Sequence, residues 1–149
     1  MSAFTGSLII EELQPGKLWR LVEPLRYEAG EKGSRRWIEI PAGFETDGAT
    51  LPAALRLVLA VWGTYGRAAC IHDFGYRLLE RGAPHVCMPT RAAADNEFYT
   101  AMRACGTRPP LAFVMWAAVR LFGGLYLRNR AGITINAVTR FDRNTTMNN

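Results

Sequence analysis

The stretch Ile71-His72-Asp73-Phe74-Gly75-Tyr76 places one of the chain's two histidines directly before an aspartate and one helical turn before a tyrosine. On a helix, His72 and Tyr76 share a face and Asp73 points aside. Arg91 and Asp95 repeat the four-residue spacing on a second helical pattern. The connection between them, residues 81–89, is short, so the two helices are expected to be antiparallel neighbours. Asp95 then reaches His72, orients its ring and stabilises its protonated form, the arrangement used for general-base activation of water. Asp73 would join Asp47 and loop carbonyls around a hard cation such as calcium.

Each residue also has a plain structural reading. A His-Asp dipeptide is common on its own. Asp95 can pair with Arg91 along its own helix, and Tyr76 can be a core residue with a satisfied hydroxyl. Asp47-Gly48 can be a turn, and His85, beside a proline, an ordinary exposed loop residue. Trp37, Trp62 and Trp116 read as core by default.

Composition narrows the classes. The 149 residues fit a single domain, 1–149, and 49% apolar with 21% charged residues describes a globular chain. A net charge of +5 suits acidic partners. The arginines are nevertheless spread out, densest only at Arg128, Arg130, Arg140 and Arg143, so a nucleic-acid patch is not expected. Cys70, Cys87 and Cys105 show no CxxC spacing, which argues against a disulfide framework and a cysteine-rich zinc site. The divalent cation that Asp73 and Asp47 suggest is therefore calcium in preference to zinc. The N-terminus has no basic region followed by a long apolar core, so no signal peptide is expected. The apolar run at 111–127 is interrupted by Arg120 and Gly123-Gly124 and falls short of the roughly 20 residues that span a bilayer. It reads as a buried helix, with peripheral membrane contact as the alternative.

The elements that must position these residues divide the chain in two. Residues 1–45 read as β. One strand lies in "SLIIEEL", another in "RRWIEI", and Pro24 cuts "KLWRLVEPLRYE" into an edge strand or two short ones. A hairpin or three-stranded antiparallel sheet follows. Residues 41–52 form a long loop, with Thr50 and Pro52 placed to start a helix. About four helices come next: "LPAALRLVLAVWG", a second stopping at Gly82, a third between Thr90 as N-cap and Gly106, and a fourth opening at the prolines. A late strand, "ITINAVTRF", closes the reading. The class is α+β, a small N-terminal sheet before a helical body whose two central helices are antiparallel.

The ordered motifs "IPAGFETDGATLP", "GRAACIHDFGY", "TRAAADNEFYTAM" and "AAVRLFGG" resemble the phage- and prophage-encoded domain-of-unknown-function family numbered 1353, over Trp37 to Gly124. This resemblance implies a bacteriophage or prophage origin, and a location in the virion or the host cytoplasm. A second, local resemblance joins "CIHDFGY" to the His-Asp-x-x-Tyr helix of secreted phospholipase A2. It implies His72 as general base, Asp73 as calcium ligand, Asp95 as the orienting carboxylate and Tyr76 as a supporting hydroxyl. Of the disulfide cysteines flanking that helix only Cys70 has a counterpart, and "FETDGAT" stands where the glycine-rich calcium loop would be.

The expected protein is thus a phage-encoded small hydrolase with a catalytic set of His72, Asp95 and Tyr76 and a metal pair of Asp73 and Asp47. Its substrate would be an ester or amide of a lipid or cell-envelope polymer. The competing expectation is a non-enzymatic virion or accessory protein that binds other phage proteins and uses the same cluster as a structural polar network.

Overall fold

The structure, a computed structural model, describes residues 3–16, 18–30, 32–46 and 64–124. The part of the expected loop that carries Asp47, Thr50 and Pro52, the expected first helix with Trp62, and the expected late strand all lie outside the described residues. Within them the chain is α+β. Six short strands precede the helices: β1 (Ala3–Thr5), β2 (Ile10–Gln14), β3 (Leu18–Leu21), β4 (Leu25–Glu28), β5 (Trp37–Ile40) and β6 (Glu45–Thr46). Then come α1 (Gly66–Glu80), α2 (Arg91–Ala104) and a third helix, α3, over 109–124.

The strands form two three-stranded antiparallel sheets rather than one, ordered β1-β4-β5 and β2-β3-β6. The division falls at Pro24, which has no N–H for a ladder. The chain turns after β3, and β4 joins the other sheet. Period-two alternation sets the faces. Trp19 and Leu21 point inward from β3, while Arg20 between them points outward to Glu11 and Glu45 at 3.1 and 3.5 Å. In the other sheet Leu25 faces Ile40 and Tyr27 faces Ile38, all buried, while the outward Arg26 and Glu39 pair at 2.9 Å. The same alternation corrects the expectation for Trp37. It takes an outward position, is 39% exposed, and has the Arg26 guanidinium 5.0 Å from its ring. Trp116 is half-buried, and its indole N–H donates to Asn96 at 3.1 Å. The buried tryptophan among the described residues is Trp19.

The helices end where their punctuation directs. Thr90 caps α2 by accepting from the Ala93 N–H at 3.1 Å, and Gly82 and Gly106 follow α1 and α2 with φ of +68° and +85°. α1 and α2 are antiparallel: Thr64 lies by Thr107, His72 by Asp95 and Phe98, and Gly75 by Ala94. Gly75 makes the close approach possible, because a Cβ there would sit 2.8 Å from the Met88 sulfur and 3.3 Å from the Ala94 Cβ. The sheets cover the other side of this pair, joining Leu21, Leu25, Tyr27, Ile38 and Ile40 to Ile71, Phe98 and Met102 in one core. Glu97 ties the layers together, accepting from the Tyr27 hydroxyl at 2.7 Å and the Gly30 N–H at 3.2 Å.

α3 corrects the expectation of a wholly buried helix. Ala112, Met115 and Ala118 are buried, but Phe113, Val114, Leu121 and Phe122 are more than half or about half exposed. Its contacts with α1 and α2 run along one side, which leaves the opposite apolar side uncovered by the described residues. No helix among those residues is long and apolar enough to cross a membrane.

The cap gives the first prediction. Thr90→Ala should lower stability by about 1 kcal/mol, and Thr90→Ser should restore most of it, read as urea midpoints at constant slope. Equal midpoints for all three proteins would show that the cap contributes nothing.

Candidate functional site

The site begins with α1, where His72 and Tyr76, one turn apart, both face α2. Asp95, one turn into α2, is fully buried beneath them. His72 Nε2 lies 2.9 Å from Asp95 Oδ1, and the Tyr76 hydroxyl donates to the same oxygen at 2.6 Å. The other oxygen, Oδ2, accepts from Arg120 Nη1 on α3 at 3.1 Å. The His72 ring is wedged between Tyr76 and Phe98, with centroids 4.2 and 4.9 Å away, and the residue is 9% exposed. Its Nδ1 makes no hydrogen bond to the described residues.

Electrostatics fix the direction of these bonds. Burial alone would push the Asp95 carboxyl up. The hydrogen bonds from His72 and Tyr76, the charge of His72 and the Arg120 bond outweigh it and hold the group below the usual carboxylate value. Asp95 is therefore an ionised acceptor, and Nε2 of His72 carries the proton between them. Burial and the Asp95 carboxylate raise the Tyr76 phenol, with Arg91 opposing less strongly, so Tyr76 stays a protonated donor. Burial, then the charge of Asp73, likewise keeps the Cys70 thiol protonated.

His72, Tyr76 and Asp95 thus meet, and Asp73 faces elsewhere. Its Oδ2 accepts from the Thr46 hydroxyl on β6 at 2.5 Å, so α1 is tied to the strand that leads into Asp47. Asp47 itself lies outside the described residues. Among the described residues no three His, Cys, Asp or Glu side chains gather as a cation site. His85 is half-buried, and its Nδ1 accepts from the Cys87 N–H at 3.1 Å.

Arg120 is the member that sequence reasoning missed. It reads there only as an interruption in an apolar run, although a lone charge on a core-facing helix is itself a signal of a buried partner. The alternative in which Asp95 pairs with Arg91 along its own helix is not what forms. Arg91 instead donates to the Arg120 carbonyl at 3.2 Å. The Gly123-Gly124 pair explains how α3 comes so close. A Cβ at Gly123 would collide with the Tyr76 hydroxyl, and one at Gly124 would sit 3.3 Å from Arg91 Nη1.

Two predictions follow from this geometry. Gly123→Ala should destabilise the protein by roughly 1–3 kcal/mol despite the better helix propensity of alanine, because the Tyr76 ring is pinned and cannot yield. Gly124→Ala, which meets the movable tip of Arg91, should have the smaller effect; the reverse order of melting temperatures would refute the packing account. Asp95, whose folded value is depressed, contributes stability that is fully present above the unfolded value near about pH 4 and is lost as pH falls through the lower folded value. Acid unfolding of Asp95→Asn should therefore show a shallower loss of stability below roughly pH 4 than wild type.

A family model described as "Protein of unknown function (DUF1353)" matches residues 19–119, more than half of the chain. No curated protein and no solved structure matches. The matched span runs from β3 into α3 and carries His72, Asp73, Tyr76 and Asp95, so the chain belongs to the DUF1353 family of proteins of unknown function.

Proposed function

We propose that this protein is a small bacteriophage- or prophage-encoded hydrolase in which His72 activates water against an ester or amide of a lipid or cell-envelope substrate. The observation that carries the reading is the buried, ionised Asp95 bound to Nε2 of a histidine whose Nδ1 makes no hydrogen bond to the described residues. With Nε2 donating to the carboxylate, the Nδ1 lone pair is the basic one. It takes a proton from water as oxygen attacks the carbonyl carbon, and the same nitrogen returns the proton to the leaving group. Asp95 offsets the positive charge that develops on the ring, and Tyr76 holds Asp95 in place. The phage origin, with a place in the virion or the host cytoplasm, is carried by the resemblance of the motifs alone.

A divalent cation fits beside this base in kind. Asp73 offers a carboxylate, Thr46 a hydroxyl, and the next residue along the chain is Asp47. Hard oxygen donors of this type suit calcium rather than zinc. Bound there, the ion would polarise the substrate carbonyl. The apolar side of α3 that the described residues leave uncovered supports peripheral contact with an envelope membrane, which would bring a lipid substrate to the site.

One observation favours the non-enzymatic reading. Asp95 is fully buried and satisfied by donors from two other helices, as a structural polar network in a virion or accessory protein would require. The two readings separate in one experiment. Wild type and His72→Gln are incubated with phosphatidylglycerol–phosphatidylethanolamine vesicles and with purified peptidoglycan, each with calcium or with chelator. Fatty-acid or fragment release falling by about 100-fold or more in the variant, with its melt little changed, supports the base. No release by folded wild type from either substrate, or equal release by both proteins, would sink the hydrolase reading.

A further inference from the structure

We infer that Arg120 is a positioning residue that locks the tautomer of His72, and so decides which ring nitrogen is left to act. A carboxylate torsion is broad, and nothing in the side chain itself fixes the plane of Asp95. The plane is fixed here by donors on both oxygens. His72 and Tyr76 approach Oδ1 from α1, at 2.9 and 2.6 Å, and among the described residues Arg120 alone approaches Oδ2, from α3 at 3.1 Å. With Oδ2 unbonded in a fully buried site, the carboxylate would turn to share its donors between both oxygens. Tyr76 and His72 would then separate, and the Nε2 bond would lose its alignment.

Arg120 suits the task because its guanidinium is planar and its donors stand in a fixed fork. It is itself held in register. Arg91 Nη1 donates to the Arg120 carbonyl at 3.2 Å, and Gly123 admits the Tyr76 hydroxyl against α3. The side chain is 34% exposed, so its outer edge reaches solvent while Nη1 reaches the buried oxygen. Its burial is thus partial, and its hold on Asp95 depends on α3 staying docked. The consequence for His72 is a single tautomer, with the hydrogen on Nε2 donated to Asp95. The catalytic consequence rests on His72 being the base, as proposed above, but the ring tautomer does not.

The chain has two histidines, so ring nitrogens are assigned by comparing wild type with His85→Asn in 15N-histidine NMR spectra at a pH where the rings are neutral. Wild type should show one His72 form with hydrogen on Nε2. Arg120→Gln should show a mixture of tautomers, and Arg120→Lys should recover the wild-type form in large part. Hydrolysis, where present, should lose kcat on the order of 10–100-fold in Arg120→Gln with KM unchanged, and Arg120→Lys should regain part of it. A folded Arg120→Gln with the wild-type tautomer overturns the inference. So does a wild-type ring protonated on Nδ1, a result that needs no variant to fold. Tautomer mixing in a protein that hydrolyses nothing would uphold the role of Arg120 and refute only the hydrolase reading.

Discussion

A carboxylate taken fully out of water needs a cation and a complete set of donors, and Asp95 obtains both only where three helices converge. α1 brings His72 and Tyr76, α2 brings the carboxylate, and α3 brings Arg120. Removing one donor would leave a charge in a place that water does not reach. The rest of the helical body is arranged to let these groups meet. Gly75 lets α1 settle against Ala94, and Gly123 lets α3 settle against Tyr76. Small residues at those two points matter more than the larger apolar ones around them, because hydrogen bonds of 2.6–3.1 Å tolerate little displacement.

The sheets serve this arrangement from behind. Tyr27 and Ile38 close the core beneath α1 and α2, and Glu97 bonds both the Tyr27 hydroxyl and the Gly30 N–H. β6 carries Thr46 to Asp73, so the end of this sheet is joined to the residue next to His72. Two aspartates thus flank one histidine with different duties. Asp95 is sealed among helices, while Asp73 is engaged by Thr46 on a strand.

A structural network and a catalytic one share these features up to a point. Both need a satisfied Asp95. What distinguishes the site is the asymmetry of the ring, with Nε2 committed to Asp95 and Nδ1 uncommitted among the described residues.

The meeting of His72 with Asp95 was legible in sequence because four-residue spacing on two helices joined by a short connection leaves few other arrangements. Thr90, Gly82 and Gly106 marked the helix ends for equally local reasons, capping and left-handed backbone. Pro24 marked a break, but not that β3 and β4 would enter different sheets, since strand partners are set by long-range pairing. Trp37 was misjudged because hydrophobic character does not say which side of a strand faces the core; register does. Arg120 was invisible as a site residue for a related reason. Its partner is 25 positions away on another helix, and only the docking of α3, made possible by the absence of a Cβ at Gly123, brings its guanidinium to Asp95.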